Sequence, residues 1–165
     1  MLDYIKNKYQ LRQTKFSFGA TSAIITNLGL IVGLRTLAYA KINIIGGILI
    51  IALADNVADS LGIHVYQESA CISTKEVWIS TFTNFISRIF VSLTFVFLVF
   101  VLPIKLAVVC SVVWGLFLLA IMSYTIGKNK GANPYLVVFE HLCIAISVII
   151  ASGFLGKLVI SKTQV

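Results

Sequence analysis

Five apolar runs, each about as long as a bilayer-spanning helix, follow one another along the chain. A run of about 20 apolar residues is long enough to cross the hydrocarbon core of a membrane as an α-helix. The residues inside the runs show helical or fully apolar periods, not the alternation of a barrel strand. We therefore predict an all-α fold, an integral membrane bundle with helices at about 16–34, 42–63, 77–102, 106–126 and 135–158.

The composition supports lipid as the solvent. Hydrophobic residues make up 59% of the 165 residues, and charged residues only 12%, about half the usual share of a soluble domain. A soluble fold of this length has too little interior for that many apolar side chains. We expect one transmembrane domain over residues 1–165, with the lipid bilayer as its partner. Because no stripe interleaves basic and aromatic residues, we do not expect nucleic acid as a partner.

Basic residues at the start of the chain predict the orientation. Residues 1–15 contain Lys6, Lys8, Arg12 and Lys15. Cytoplasmic segments next to membrane helices carry an excess of Lys and Arg. We therefore expect residues 1–15 to be a cytoplasmic basic segment, so that five helices place the other end outside. The expected location is the plasma (inner) membrane of a prokaryotic cell.

Two carboxylates interrupt the second apolar run. Asp55 and Asp59 are four residues apart, so both lie on one face of a helix. A carboxylate at the centre of a membrane helix costs roughly 2.5–3.5 kcal/mol on insertion scales, and is usually functional. Paired carboxylates are hard-oxygen ligands for Fe²⁺, Mn²⁺, Mg²⁺ or Ca²⁺, and each raises the other's affinity for protons. Such a pair suits a site that exchanges a cation for protons.

A structural role for the same carboxylates is the alternative. Arg88 lies about eleven residues into the third apolar run, near mid-membrane, and requires a counter-ion. It is therefore the expected charge partner of Asp55 or Asp59. The two interpretations are compatible, because a basic partner can compete with a transported cation.

The first helix carries small polar side chains, Ser22, Thr26 and Asn27. Hydroxyls in membrane helices mostly bond to their own backbone. The alternative is that these side chains line the same cavity as the aspartates.

We find no nucleophile–base pair, no zinc motif and no phosphate loop. We therefore do not expect an enzyme or a bound cofactor.

The first two helices resemble those of the vacuolar iron transporter family. The likeness in the first helix rests on Phe18-Gly19 at its start, Thr21, and Gly29-Leu30 near its end. In the second helix it rests on Ala54-Asp55-Asn56-Val57-Ala58-Asp59, followed by Tyr66-Gln67-Glu68. The number of helices and the basic loop before the fifth helix are also similar.

The resemblance implies a dimeric exporter that moves Fe²⁺ or Mn²⁺ out of the cytosol in exchange for protons. Asp59 matches the acidic residue of the family's second helix, and Glu68 matches the glutamate where that helix ends. Asp55 stands where the family usually has a methionine, and Ser22 where it usually has an aspartate. Only residues 64–76 separate the second and third helices, so this is a short form without the family's cytosolic metal-binding helical insert.

Two hypotheses follow. In the first, the chain is a divalent-metal transporter that exchanges the ion for protons; Asp55 and Asp59 bind the ion, and Glu68 gathers cations at the cytoplasmic mouth. Neutral oxygens then come from Asn56, Ser22, Thr26 and Asn27. In the second, the chain is a non-transporting scaffold or partner subunit, and Arg88 neutralises the aspartates permanently.

Overall fold

The computed structural model describes residues 19–163 and consists of five α-helices joined by short turns. The helices are α1 (Gly19–Leu34), α2 (Ala40–Ser69), α3 (Thr74–Val101), α4 (Ile104–Asn129) and α5 (Pro134–Thr163). The predicted basic segment 1–15 and the start of the first predicted helix, 16–18, lie outside the described residues. The prediction of an all-α membrane bundle is confirmed.

Four of the helices, α2 to α5, are long and apolar enough to cross a membrane. Their outer surfaces carry large apolar side chains, including Phe90, Phe97 and Phe139. An outer surface of this kind suits lipid rather than water. The chain is therefore an integral membrane protein.

The helices extend beyond their apolar runs. The run in α2 ends near Ile63, but the helix continues to Ser69. This last part of α2 stays helical because its polar side chains bond to α3: Gln67 Nε2 donates to Ser80 Oγ at 2.8 Å. Hydropathy therefore located the apolar part of α2, and not the end of the helix.

The central helix of the bundle is α1. Most of its apolar residues are buried and the others are partly buried, and it contacts each of the other four helices. Leu30 packs over Gly47 of α2, and Leu28 packs over Gly115 of α4. Around it, α2 packs most extensively against α3, and α4 against α5; each pair consists of consecutive helices joined by a short turn.

Small residues bring α1 and α5 into close contact. The spacing of Gly29 and Gly33 permits close approach of two helices, and both face Ser152 of α5. Gly156 lies directly against the backbone of Gly33, with no room for a side chain between them. The backbones of α1 and α5 therefore touch where the two helices cross.

Candidate functional site

One arginine holds both aspartates of α2. Arg88 Nη2 contacts Asp55 Oδ2, and Arg88 Nη1 contacts Asp59 Oδ2. A single guanidinium reaches both carboxylates because they are one helical turn apart on the face of α2 toward α3, and because its donors form a rigid fork. The expected pairing of Arg88 with the aspartates is therefore present, and it involves both of them.

Ser22 brings α1 into the same cluster. Its hydroxyl oxygen accepts a hydrogen bond from Arg88 Nη1 at 2.7 Å and lies 3.4 Å from Asp59 Oδ2, to which it donates. Three helices thus each contribute to one polar site: α1 through Ser22, α2 through the two aspartates and α3 through Arg88. We call these four residues the acid cluster.

The acid cluster carries more negative than positive charge. One guanidinium faces two carboxylates, so the formal charge of the ionised cluster is about −1. The burial is uneven as well: the Arg88 side chain is 3% exposed, whereas the side chains of Asp55 and Asp59 are 44% and 38% exposed. The cationic side of the cluster therefore faces the interior, and the acidic side opens to the surface of the single chain.

Small residues surround that open acidic side. Ala54, Ala58 and Gly62 are exposed and follow one another at four-residue intervals along α2, and a Cβ at Gly62 would meet no atom within 4 Å. Lipid does not solvate a carboxylate. Something other than hydrocarbon, either water or another protein surface, must therefore cover this face in a membrane.

Amides and hydroxyls that are buried beside the acid cluster join α2 and α3. Asn56 Nδ2 donates to the backbone oxygen of Phe85 at 2.9 Å, and Asn84 Nδ2 donates to Ser60 Oγ at 3.0 Å. Buried polar groups that are bonded in this way fix the register of two packed helices. These hydrogen bonds therefore hold α3 so that Arg88 meets the aspartates.

The remaining predicted ligands lie in different surroundings. Thr26 donates to the backbone oxygen of Ser22 at 3.0 Å, the self-bonding that is common in membrane helices. Asn27 is buried and donates to Ser92 Oγ at 2.9 Å. Asn56 is also buried, and its amide is directed to the backbone of α3. None of these side chains bonds to a carboxylate of the acid cluster.

Glu68 belongs to a separate group at the far end of α2. Its Oε1 lies 3.5 Å from His64 Nε2, and His64 Nδ1 lies 3.0 Å from Thr81 Oγ1. The ring of Trp78 packs edge-on against His64, with centroids 4.7 Å apart. Nine residues of helix separate Glu68 from Asp59, about 13 Å along the axis, so Glu68 does not join the acid cluster.

Beyond Arg88, the polar face of α3 was not predicted from the sequence. Ser80, Asn84, Arg88 and Ser92 are buried and recur every four residues, and buried Ser87 adjoins Arg88, which places them on one side of a helix. That spacing was readable from the sequence. It was not recognised because the large apolar residues between these positions dominate the hydropathy of the segment.

Within residues 19–163, no group of three or more His, Cys, Asp or Glu side chains is close enough together to hold a metal ion. In this part of the chain, the acid cluster has two carboxylates and no third His, Cys, Asp or Glu side chain that could bind the same ion. Comparisons of the chain with protein families, with curated proteins and with solved structures found no match.

Proposed function

We propose that this protein is a membrane transporter that exports a divalent cation, Fe²⁺ or Mn²⁺, from the cytosol in exchange for protons. The observation that carries the proposal is the acid cluster: two carboxylates in the middle of a membrane helix, matched by one cation and open on one side. A cluster with one unmatched negative charge in a low dielectric has affinity for a further positive charge. The resemblance of α1 and α2 to the vacuolar iron transporter family gives the proposed ion and its direction.

Arg88 acts in this proposal as an internal counter-cation. When the carboxylates hold no transported ion, the guanidinium occupies them. When an ion binds, its charge weakens the hold of Arg88 on Asp55 and Asp59. The guanidinium, protons and the transported ion then compete for the same carboxylate oxygens. An antiporter requires such a competition.

The proposed transporter is a homodimer. A second copy placed against Ala54, Ala58 and Gly62 would cover the open acidic side, and small residues allow two helices to approach closely. It would also double the number of carboxylates from two to four, the kind of hard-oxygen set that divalent cations prefer. The proposed location is the plasma membrane of a prokaryotic cell, because export across it removes the ion from the cell.

Transport by purified protein in liposomes tests the proposal. We expect wild-type protein to carry Mn²⁺ across the liposome membrane and to move protons in the opposite direction. Asp59→Asn should reduce the rate about 10- to 100-fold, the usual cost of removing an important group at a metal site. The matched control is Glu140→Gln, which neutralises an exposed acid on α5 and should leave transport unchanged. Equal transport by wild type and Asp59→Asn would refute the assignment of the site.

A non-transporting scaffold or partner subunit is the second candidate. It is favoured by the contact of Arg88 with both aspartates, since a permanently occupied pair has no vacancy for an ion. Arg88→Gln separates the candidates by calorimetric titration of folded protein with Mn²⁺. In the transporter, the loss of the competing guanidinium tightens Mn²⁺ binding. In the scaffold, the wild type neither binds nor transports Mn²⁺, and any binding to the carboxylates freed in the variant is not accompanied by transport.

A further inference from the structure

Several cations gather at one end of the bundle. The turn between α1 and α2 meets the turn between α3 and α4 there, since Lys41 Nζ donates to the backbone oxygen of Leu102 at 3.3 Å. The last part of α5 reaches the same end, because Gly156 lies against Gly33 near the end of α1. We call this the basic end and define it by its five cations, Arg35, Lys41, Lys105, Lys157 and Lys162.

The described part of the chain has no acid at the basic end to balance these charges. Of the five acids within residues 19–163, Asp55 and Asp59 lie in the middle of α2. The other three lie toward the opposite end of the bundle, together with three cations: Glu68, Glu76, Glu140, Lys75, Lys128 and Lys130. Over these residues the formal charge is therefore +5 at the basic end and zero at the opposite end.

The cations of the basic end border the surface that lipid covers. All of them except the half-buried Lys41 are exposed. Large apolar side chains are exposed next to them along the helices, among them Ile42 of α2, Leu106 of α4 and Leu158 of α5. Long basic side chains in such positions lay their apolar stems along the helix and extend their charged ends to the level of the lipid headgroups.

Two of the cations flank the closest helix crossing. Arg35 follows Gly33 of α1 by two residues, and Lys157 directly follows Gly156 of α5. Since the two glycines touch, these like charges lie on neighbouring backbones and repel each other, and the low dielectric of the adjacent membrane strengthens the repulsion. An anion bound at the basic end would reduce this repulsion and so favour the contact of α1 with α5.

We propose that the basic end binds the headgroups of anionic phospholipids in the membrane leaflet next to it. Phosphate oxygens accept charge-assisted hydrogen bonds from Arg and Lys, and a lipid holds its phosphate at the level of these side chains. A zwitterionic lipid has no net negative charge to offset the excess of +5. Clusters of about four to eight basic residues beside membrane helices are typical of anionic-lipid recognition. The proposal does not rest on transport, and it holds equally for a scaffold.

Native mass spectrometry of the full chain, titrated with defined lipids in detergent, tests the proposal. We expect wild-type protein to bind phosphatidylglycerol more tightly than phosphatidylcholine. The variant Arg35→Gln/Lys157→Gln/Lys162→Gln removes three cations of the basic end. It should reduce the ratio of the two affinities about 10-fold or more, since one Lys or Arg near an anionic surface contributes roughly a fivefold attraction. Equal affinity of the wild type for both lipids would overturn the proposal.

The opposite end of the bundle supplies a matched control. Lys75→Gln/Lys128→Gln/Lys130→Gln removes the same number of cations there and should keep the preference for phosphatidylglycerol. An equal loss of preference in both triple variants would show that the lipid responds to total charge, and would also overturn the proposal. Should a triple variant fail to fold, Arg35→Gln/Lys162→Gln and Lys128→Gln/Lys130→Gln form a smaller matched pair with the same two expectations.

Discussion

At the scale of single residues, the guanidinium of Arg88 places a positive charge in the interior of the bundle. It touches both aspartates and is itself buried. Removing one partner of a buried ion pair typically costs about 3–5 kcal/mol, because the other charge stays behind without compensation. The carboxylates are more than a third exposed, so solvent screening places the cost here near the lower end of that range.

We predict that Arg88→Leu destabilises the fold by about 3 kcal/mol, because it leaves two unmatched carboxylates. Asp59→Asn should cost less, since Arg88 and Asp55 remain as a balanced pair. The double variant Arg88→Leu/Asp59→Asn restores the formal charge of the wild-type cluster and should be more stable than Arg88→Leu alone.

Thermal unfolding in one detergent measures the stability of all four proteins. Lys105→Leu, the loss of an exposed cation at the start of α4, is the control and should change little. Strict additivity of the two single changes would mean that Arg88 and Asp59 do not interact energetically.

At the scale of the helices, the contact of α1 with α5 determines whether the bundle closes around its central helix. The two glycines at the crossing are not equivalent. A Cβ on Gly156 would collide with the backbone of Gly33, whereas a Cβ on Gly33 would lie at an ordinary 3.5 Å from the backbone oxygen of Ser152. The same change from glycine to alanine is therefore expected to destabilise the protein at Gly156 and to have little effect at Gly33.

Gly156→Ala should separate α1 from α5 and destabilise the protein by about 1–3 kcal/mol, the usual cost of overpacking. Gly33→Ala should be close to neutral, and is the matched control. Unfolding midpoints of the two variants, measured side by side in detergent, give the comparison. Equal midpoints would indicate that the helices do not meet as closely as described.

The sequence predicted the helices better than it predicted their contacts. Apolar runs located α2 to α5 because lipid selects apolar side chains over a fixed thickness. The pairing of Arg88 with the aspartates was foreseen from charge alone. The placement of Asn27 and Glu68 was not, because hydropathy contains no information on which helix faces which. Asn27 bonds to Ser92 of α3, and Glu68 pairs with His64 at the far end of α2.

At the scale of the whole molecule, the exposed acidic side of α2 is difficult to reconcile with a monomer surrounded by lipid. The proposed dimer covers this side through the stripe of Ala54, Ala58 and Gly62. A bulky residue in that stripe would keep two copies of α2 apart without disturbing the interior of either copy.

Ala58→Leu should therefore shift the protein from dimer to monomer, as measured by light scattering with correction for bound detergent. Ala151→Leu, at an exposed alanine of α5, is the matched control and should remain a dimer. A monomeric wild type, or a dimer that tolerates both substitutions, would exclude the proposed interface.

The central position of α1 has a consequence for how the protein is made. During synthesis α1 reaches the membrane before any helix that covers it, and α5, which packs against Gly29 and Gly33, comes last of the five. Until then the glycine face of α1 has only lipid or the insertion machinery beside it. We therefore expect membrane quality-control proteases to degrade chains that stop before α5 faster than chains that include it.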